Sequence, residues 1–476
     1  MKRTLLLSTL FILFFNLSVF PQTTFVTPIQ VIDPNTGEEP YEIASGDLDD
    51  DGDIDLVMAT YWYAGVGNPP IQDYIKWYEN DGAGNFSAPQ LVSSTITYVD
   101  GLTIADIDGQ NGNDIVATSI YQDKLVYFPS DGIGGFGSEE LVASLTSPTE
   151  VAAADINNDG NIDLSVVSYG DDKVVWYPGD GTGNFASEEV IESGTTNGPL
   201  NISIGDFDGD TDNDALIYYH TTGSLEIYYN QYVESGTMTV SWVKDLVTVD
   251  NSSTYLLVVD FADVNNDGNM DVIKSDGSSG EVIWYNKIKD GASTPHTISD
   301  NSIIVNPGTV AIADLDNDTF NDVILTDGGT QDDAIIWFKG ANNASPSTMP
   351  TLIEDNNYIN YDITIDDFDD DGDKDIAFLG NSNDIVGWYE NEWDLLGISS
   401  TLIDNINIYP NPVKDKLNFK GNLSEPLKVS IYDTLGKNLL NKTIELNSDL
   451  DVSNLQSGLY VLKFEGYYDT YKLVKQ

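Results

Sequence analysis

Apolar positions along the chain fall into short runs that recur in a fixed order. A stretch rich in small residues comes first, as in residues 151–155 (VAAAD) or 310–314 (VAIAD). A nine-residue polar segment follows, then an apolar, β-branched run such as 54–58, 115–117 or 323–325. Next comes a run centred on an aromatic residue, with Trp77, Tyr127, Trp176, Tyr228, Trp284, Trp337 and Trp388 in equivalent places. In the first three cases it leads into NDGAGNF, SDGIGGF or GDGTGNF, whose glycines suit the positive φ of a hairpin. A fourth run, such as 86–92, ends the unit. Short apolar runs bounded by turn chemistry predict strands, so each unit reads as a four-stranded antiparallel meander.

The polar segments begin at Asp47 (DLDDDGDID), Asp106 (DIDGQNGND), Asp155 (DINNDGNID), Asp206 (DFDGDTDND), Asp263 (DVNNDGNMD), Asp314 (DLDNDTFND) and Asp367 (DFDDDGDKD). Their spacings of 59, 49, 51, 57, 51 and 53 residues fit the blade of a β-propeller. The seventh unit offers no fourth strand after Trp388. Residues 25–31, with Phe25 and Pro28, repeat the F-x-x-P spacing of Phe86 and Pro89. The N-terminal strand is therefore expected to pair into the last blade, closing the ring and removing its loose seam. The expected fold is all-β: a seven-bladed β-propeller closed in this way, followed by a small C-terminal β-sandwich.

Composition narrows the chemistry. The 476 residues include 20 Lys+Arg against 78 Asp+Glu, a formal charge of −58, which would repel nucleic acid and anionic lipid. A hydrophobic fraction of 41% is enough for folding. With no cysteine there is no thiol nucleophile, zinc thiolate site or disulfide framework, and His220 and His296 leave little for imidazole chemistry. At the N-terminus, Lys2 and Arg3 precede an apolar run from Leu5 to Phe20 that stops at Pro21-Gln22. This is the layout of a secretory signal peptide cut near residue 21, although the small-residue cleavage motif is poor and the run is at the short end for a membrane anchor. No later segment is long and apolar enough to span, so the mature protein is expected to be soluble and outside the cytoplasm.

Within the nine-residue segments, carboxylates or amides fall mostly at positions 1, 3, 5 and 9. Glycine at position 6 permits a sharp turn, and position 7 can offer its carbonyl. Oxygen-only, alternating donors suit Ca²⁺ better than Mg²⁺, which needs near-octahedral geometry and keeps its waters. An EF-hand would need Glu at position 12, where this chain has Met58, Ala117, Val166, Ile217, Lys274, Leu325 and Phe378. Each loop passes directly into a strand. The ion is expected to be structural, because it offsets the repulsion among clustered carboxylates and fixes the turn.

The D-x-[DN]-x-D-G-x-x-D segment inside a roughly 50-residue β repeat resembles the FG-GAP/VCBS repeats of integrin-like propellers, over about residues 24–395. The resemblance implies a calcium loop between the first two strands of a blade. Carried onto this sequence, the best sites are Asp47, Asp49, Asp51, Asp53 and Asp55; Asp155, Asn157, Asp159, Asn161 and Asp163; Asp263, Asn265, Asp267, Asn269 and Asp271; and Asp367, Asp369, Asp371, Asp373 and Asp375. Repeats two, four and six offer Asp106, Asp108 and Asp114; Asp206, Asp208, Asp210, Asp212 and Asp214; and Asp314, Asp316, Asp318 and Asp322. In repeat two Gln110 replaces the acid at position 5 and the glycine moves to Gly112. In repeats four and six Thr211 and Thr319 occupy the glycine position, where a β-branched residue is strained. These three loops are expected to bind more weakly or to turn differently, giving four strong sites and up to three weaker ones.

From about Thr401 the composition changes to nine lysines and nine acids. Strands are expected at 406–409, 416–419, 428–432 and 459–464, enough for a small sandwich. The segments IYPNPVKDKLNF from Ile408, VSIYDTLGK from Val429, DVSNLQSGLYVLKF from Asp451 and the closing YKLVKQ together resemble the type A C-terminal sorting domain of the type IX (Por) secretion system. That resemblance implies the type IX machinery as a partner and a secreted or outer-membrane cell-surface location in a Gram-negative, Bacteroidetes-like bacterium. The expected division is 1–21 signal peptide, 22–396 propeller, 397–402 linker and 403–476 sorting domain.

No G-x-S-x-G, H-E-x-x-H, P-loop or dinucleotide fingerprint is present, and no catalytic residue is assigned. The expected function is an adhesion or glycan/protein-binding module. The alternative is a secreted carbohydrate-active enzyme, polysaccharide lyase-like, built on a calcium-stabilised propeller. Because the metal loops join strands one and two, the opposite face is freer for recognition. There repeat one carries an insertion, YWYAGVGNPP from Tyr61, whose Trp62 and Tyr63 suit stacking on a sugar. Residues 22–400 hold 69 acids and nine bases, of which 30 acids and one base lie in the seven loops. The remaining 39 acids against eight bases read as a solubilising surface.

Overall fold

The computed structural model describes residues 25, 30–36, 39–61, 73–194, 197–232, 239–245, 256–276, 279–286, 294–300, 304, 307–327, 334–342, 344–355, 360–380, 384–392, 406–421, 427–433, 437–444, 449–456, 458–464 and 470–475. The expected signal peptide, the 397–402 linker, and Trp62 and Tyr63 lie outside them. The chain divides into two units, one spanning Phe25–Glu392 and one that takes in Trp393–Gln476.

In the first unit, blade one runs Pro40–Gly46, Asp55–Thr60, Ile75–Tyr78 and Gln90–Ser93, each strand antiparallel to the next. Five more four-stranded sheets in the same order begin with Val99–Ala105, Pro148–Ala154, Pro199–Gly205, Leu256–Ala262 and Pro307–Ala313. The seventh sheet takes Asn360–Asp366, Asp375–Gly380 and Ile385–Tyr389 from the C-terminal side, and its fourth strand is Gln30–Asp33. Gln30 pairs with Trp388 and Val31 with Gly387. Phe25 bridges Asn391 as Phe86 bridges Asn80, so the phenylalanines are equivalent, but Gln30 and Val31 stand where Gln90 and Leu91 stand in blade one, one residue off the alignment that the F-x-x-P spacing predicts.

The second strands explain the β-branched runs. All six residues of Asp55–Thr60, Asp114–Ser119, Asp163–Ser168, Asp214–Tyr219, Asp271–Asp276, Asp322–Asp327 and Asp375–Gly380 are buried. Strands covered on both faces lose the alternation of a half-exposed sheet. The covering comes from neighbouring blades, and a separate apolar core fills every junction. Trp77, Val57 and Ala59 meet Ile115, Ala117 and Phe128 between blades one and two. Equivalent clusters join two to three, three to four, four to five, five to six and six to seven. The seventh, with Leu56, Met58, Tyr78, Phe368, Leu379 and Trp388, joins blade seven to blade one. Seven blades with seven filled junctions make a closed ring.

One expected equivalence is corrected. Trp77, Tyr127, Trp176, Trp284, Trp337 and Trp388 pair with Val57, Val116, Ser165, Ile273, Ile324 and Ala377, but in blade four the matching pair is Leu216 with Ile227. Tyr228 sits one residue later, opposite Ala215, in the place held by Tyr78 and Tyr177 elsewhere. Adjacent aromatics in the run SLEIYYN leave the register ambiguous by one residue, and a hydrogen bond from the Asn230 N–H to Asp214 at 2.8 Å marks it. The turn glycines take positive φ as expected, and Gly84, Gly134 and Gly183 also face an aromatic of the preceding blade, Trp388, Trp77 and Tyr127. A Cβ on Gly84 would lie 2.4 Å from the Trp388 ring, and one on Gly134 would lie 2.8 Å from Trp77.

The second unit pairs Ile406–Tyr409, Lys416–Gly421 and Asp449–Asp451 in one sheet. Asn438–Ile444, Leu427–Asp433, Gly458–Phe464 and Thr470–Lys475 form the other. Val413, Leu417, Phe419, Val429, Ile431, Leu450, Leu462 and Leu473 pack into a single core. This is the expected small sandwich, with three strands added to the four expected.

Candidate metal centres

Each acidic loop connects the first and second strands of its blade, and its geometry is set from position 9. Asp55, Asp114, Asp163, Asp214, Asp271, Asp322 and Asp375 are fully buried at the start of the second strand. In every loop the Oδ2 of this aspartate accepts the backbone N–H of position 2, at 2.9–3.2 Å. In six of them Oδ1 accepts a backbone N–H at the end of the third strand or just beyond it, from Asn80, Ser130, Gly179, Asn230, Gly340 or Asn391, at 2.7–2.8 Å. Position 9 is thus a clamp that ties the loop to the third strand, a role the spacing argument did not find. Both oxygens keep further lone pairs for an ion.

Position 1 organises the turn. In loops three to seven, Oδ1 of Asp155, Asp206, Asp263, Asp314 and Asp367 accepts the N–H of position 5. Oδ2 of the same residues accepts the N–H of position 6, as it does from Gly52 in loop one. Positions 4 and 6 both take positive φ, for example 62° at Asp50 and 97° at Gly52. Position 4 is always Asp, Asn or Gly, the residues that tolerate this conformation, and that signal was readable in the sequence.

The loops expected to depart do so in two ways. Thr211 and Thr319 keep the common turn at φ of 84° and 75°, holding strain rather than changing shape. Loop two departs at position 7, where Gly112 also takes positive φ at 89°; its bond from the Gly109 N–H to Asp106 Oδ1 has a counterpart in loop four, from Gly209 to Asp206. These three loops also share an asparagine at position 8. Asn113, Asn213 and Asn321 donate to the carbonyls of Asp47, Asp155 and Asp263 in the preceding loop, at 2.7–3.1 Å.

Carboxylate oxygens converge within 4.8 Å of one another in Asp47/Asp49/Asp55, Asp106/Asp108/Asp114, Asp206/Asp208/Asp210, Asp314/Asp316/Asp322 and Asp367/Asp369/Asp371. Loops three and five place the amides Asn157 and Asn265 at position 3. The position 5 carboxylates also serve within the turns. Asp51, Asp159, Asp267 and Asp371 accept from the N–H of Asp53, Asn161, Asn269 and Asp373, and Asp210 and Asp318 accept from Asp212 and Phe320.

The donor set fits a hard cation. Asp47 Oδ1, Asp49 Oδ1 and Asp369 Oδ1 are buried without a hydrogen-bond partner, a costly state that a divalent ion relieves. Burial first, then the neighbouring carboxylates, push the Asp49 and Asp369 carboxyls up to about 6. At position 9, burial pushes Asp55 and Asp322 up to about 7 and Asp214 and Asp375 up to about 8, with backbone N–H bonds opposing it.

On the opposite face, where the second strands end and the first begin, four tyrosines form a row. Tyr41 stacks on Tyr61 at 4.8 Å between ring centroids, Tyr61 meets Tyr98 edge-on at 5.4 Å, and Tyr98 meets Tyr121 at 4.4 Å. Tyr121 is 58% exposed.

Comparisons with known proteins agree with this architecture. Residues 155–217 and 263–325 match the FG-GAP-like repeat family, and residues 407–476 match the secretion system C-terminal sorting domain. No curated protein matches. Among solved structures, a complex of BBS1N with ARL6DN is similar at 9% identity, a TM-score of 0.52, and coverage of 77% of this chain and 97% of that one. An Agrocybe aegerita lectin that specifically recognises non-reducing terminal N-acetylglucosamine is similar at 15% identity, a TM-score of 0.48, and coverage of 79% and 95%. The first of these likenesses is one of fold. The matched families are repeat and sorting families rather than catalytic ones, and the sorting domain indicates type IX secretion to an extracellular or cell-surface location. The chain therefore carries FG-GAP-like repeats in a seven-bladed propeller, followed by a type IX secretion C-terminal sorting domain.

Proposed function

We propose that this protein is a calcium-stabilised propeller, displayed or released outside the cell, that binds a glycan or protein ligand on the face opposite its acidic loops. The observation that carries the calcium reading is the set of buried, unpartnered oxygens on Asp47, Asp49 and Asp369. Position 1, 3, 5 and 9 side chains would hold the ion together with a position 7 carbonyl, and the ion would neutralise loops that otherwise repel themselves. The ligand reading is supported by the tyrosine row, because the exposed ring of Tyr121, backed by the half-buried Tyr98, Tyr61 and Tyr41, offers flat apolar surface beside a polar hydroxyl. An adhesive role follows from that location. Within the same reading, residues 1–21 are a signal removed on export and 397–402 link the propeller to the sorting domain.

Calorimetric titration of the chelated full-length protein tests the calcium half: binding with a raised Tm is expected, and no heat and no shift would refute it. A glycan array together with a screen of surface proteins tests the other half. Tyr121→Ala should weaken whatever is bound at least tenfold with Tm unchanged. Equal binding by that variant would remove the tyrosine row from the site.

A further inference from the structure

Loop six carries its own cation. Lys339 follows Phe338 at the end of the third strand of blade six and turns its ammonium into the loop. Its Nζ pairs with Asp316 Oδ2 and lies 2.8 Å from Asp318 Oδ2. Those two carboxylates are positions 3 and 5, two of the oxygens an ion in the loop would need. The lysine side chain is 41% exposed whereas that of Asp316 is 5% exposed, so the ammonium enters from the rim and meets its partner inside.

Strand register shows which residues stand in the same place elsewhere. Phe338 pairs with Val323, as Tyr78 pairs with Leu56 and Tyr389 with Ile376. The residues that follow are Lys339, Glu79 and Glu390. The two glutamates carry the opposite charge. Register puts Glu79 and Glu390 just past the end of the third strand of blades one and seven, where Lys339 stands in blade six. The position just beyond the third strand therefore supplies a positive charge to loop six and an extra negative charge to loops one and seven.

We propose that Lys339 occupies the cation position of loop six, so that this loop takes no calcium, and that the residue at this position decides whether a loop takes the ion. An ammonium and a divalent cation cannot share the same carboxylate pair, since each repels the other at contact distance. The lysine then neutralises Asp316 and Asp318 without dependence on the ion's concentration, through Asp316 Oδ2 and Asp318 Oδ2, and leaves Asp316 Oδ1 buried without a hydrogen-bond partner. The inference rests on the calcium reading of the remaining loops.

The test counts calcium per chain in full-length protein after equilibrium dialysis, by mass spectrometry of the metal, for wild type, Lys339→Met and Glu390→Lys. Lys339→Met is expected to bind one ion more than wild type, with a Tm lowered in chelator and recovered in calcium. Glu390→Lys is expected to bind one fewer. Wild-type protein that binds calcium while both variants bind the same number would overturn the inference and leave the calcium reading standing. Wild type with no calcium would overturn that reading and this inference with it. Should Lys339→Met fail to fold, Glu390→Lys decides alone: an unchanged count overturns the proposal and a loss of one ion supports it.

Discussion

Replacing Asp163 by Ala separates the clamp from the metal. Asp163 is fully buried, and its carboxylate accepts the Ile156 N–H at 2.9 Å, the Gly179 N–H at 2.8 Å and, more weakly, the Asn157 N–H at 3.3 Å. Ile156 and Gly179 are themselves buried, so water cannot replace the lost acceptor. Each orphaned buried donor costs about 1–3 kcal/mol, giving a loss of roughly 2–6 kcal/mol for the pair. With an unfolding entropy of about 2.1 cal/mol/K per residue, a unit of this size should lose roughly 3–8 °C in Tm. Asp163→Asn keeps one acceptor and should lose about half as much. The assay is thermal unfolding followed by circular dichroism, run in excess calcium and again in chelator. The backbone clamp does not need the ion, so most of the deficit should persist in chelator. A deficit seen in calcium and absent in chelator would show that Asp163 matters only as a metal ligand, and the reasoning would fail.

Further outcomes follow from the same structure. Burial holds the folded-state carboxyls of Asp55, Asp214 and Asp375 at about 7 to 8, whereas in the unfolded chain they ionise near the ordinary value of about 3.9. Between those limits the folded state keeps protons that the unfolded state has released, so calcium-free protein should become less stable as pH rises from 5 to 8. Because calcium needs ionised ligands, chelation should lower Tm more at pH 8 than at pH 5; a larger drop at pH 5 would contradict this. Thr319→Gly relieves a β-branched residue at φ 75° and should stabilise by up to about 1 kcal/mol once the entropy of glycine is deducted, measured by denaturant midpoint. A chain beginning after Asp33 lacks the strand paired to Ile385–Tyr389 and the Tyr78 hydroxyl bond to Asp33 at 3.1 Å. It should be cut in blade seven under limited proteolysis at protease concentrations that leave the full chain intact.

Period, strand type and ring closure were legible in the sequence because each rests on local chemistry. Fully covered second strands read as unbroken β-branched runs, and the F-x-x-P spacing identified the displaced strand of blade seven. The tail showed its two sheets less completely. Asn438–Ile444, Asp449–Asp451 and Thr470–Lys475 mix asparagine, aspartate or lysine with their apolar residues, so only the core they share marks them as strands.

The sequence by itself determined the turn of each loop and the oxygen donors within it, since both follow from residue type at fixed spacing. Tertiary structure decided what each donor does. Asp163 and its equivalents became clamps because the third strand brings a backbone N–H to them from at least 16 residues away. Ile227 took the place expected for Tyr228 because pairing, not local aromatic content, sets register. Lys339 is an ordinary lysine in the sequence, and only the fold of blade six places its charge among Asp316 and Asp318. Spacing along a chain fixes local conformation, whereas the charge that reaches a loop from another strand depends on how the sheet brings the two together.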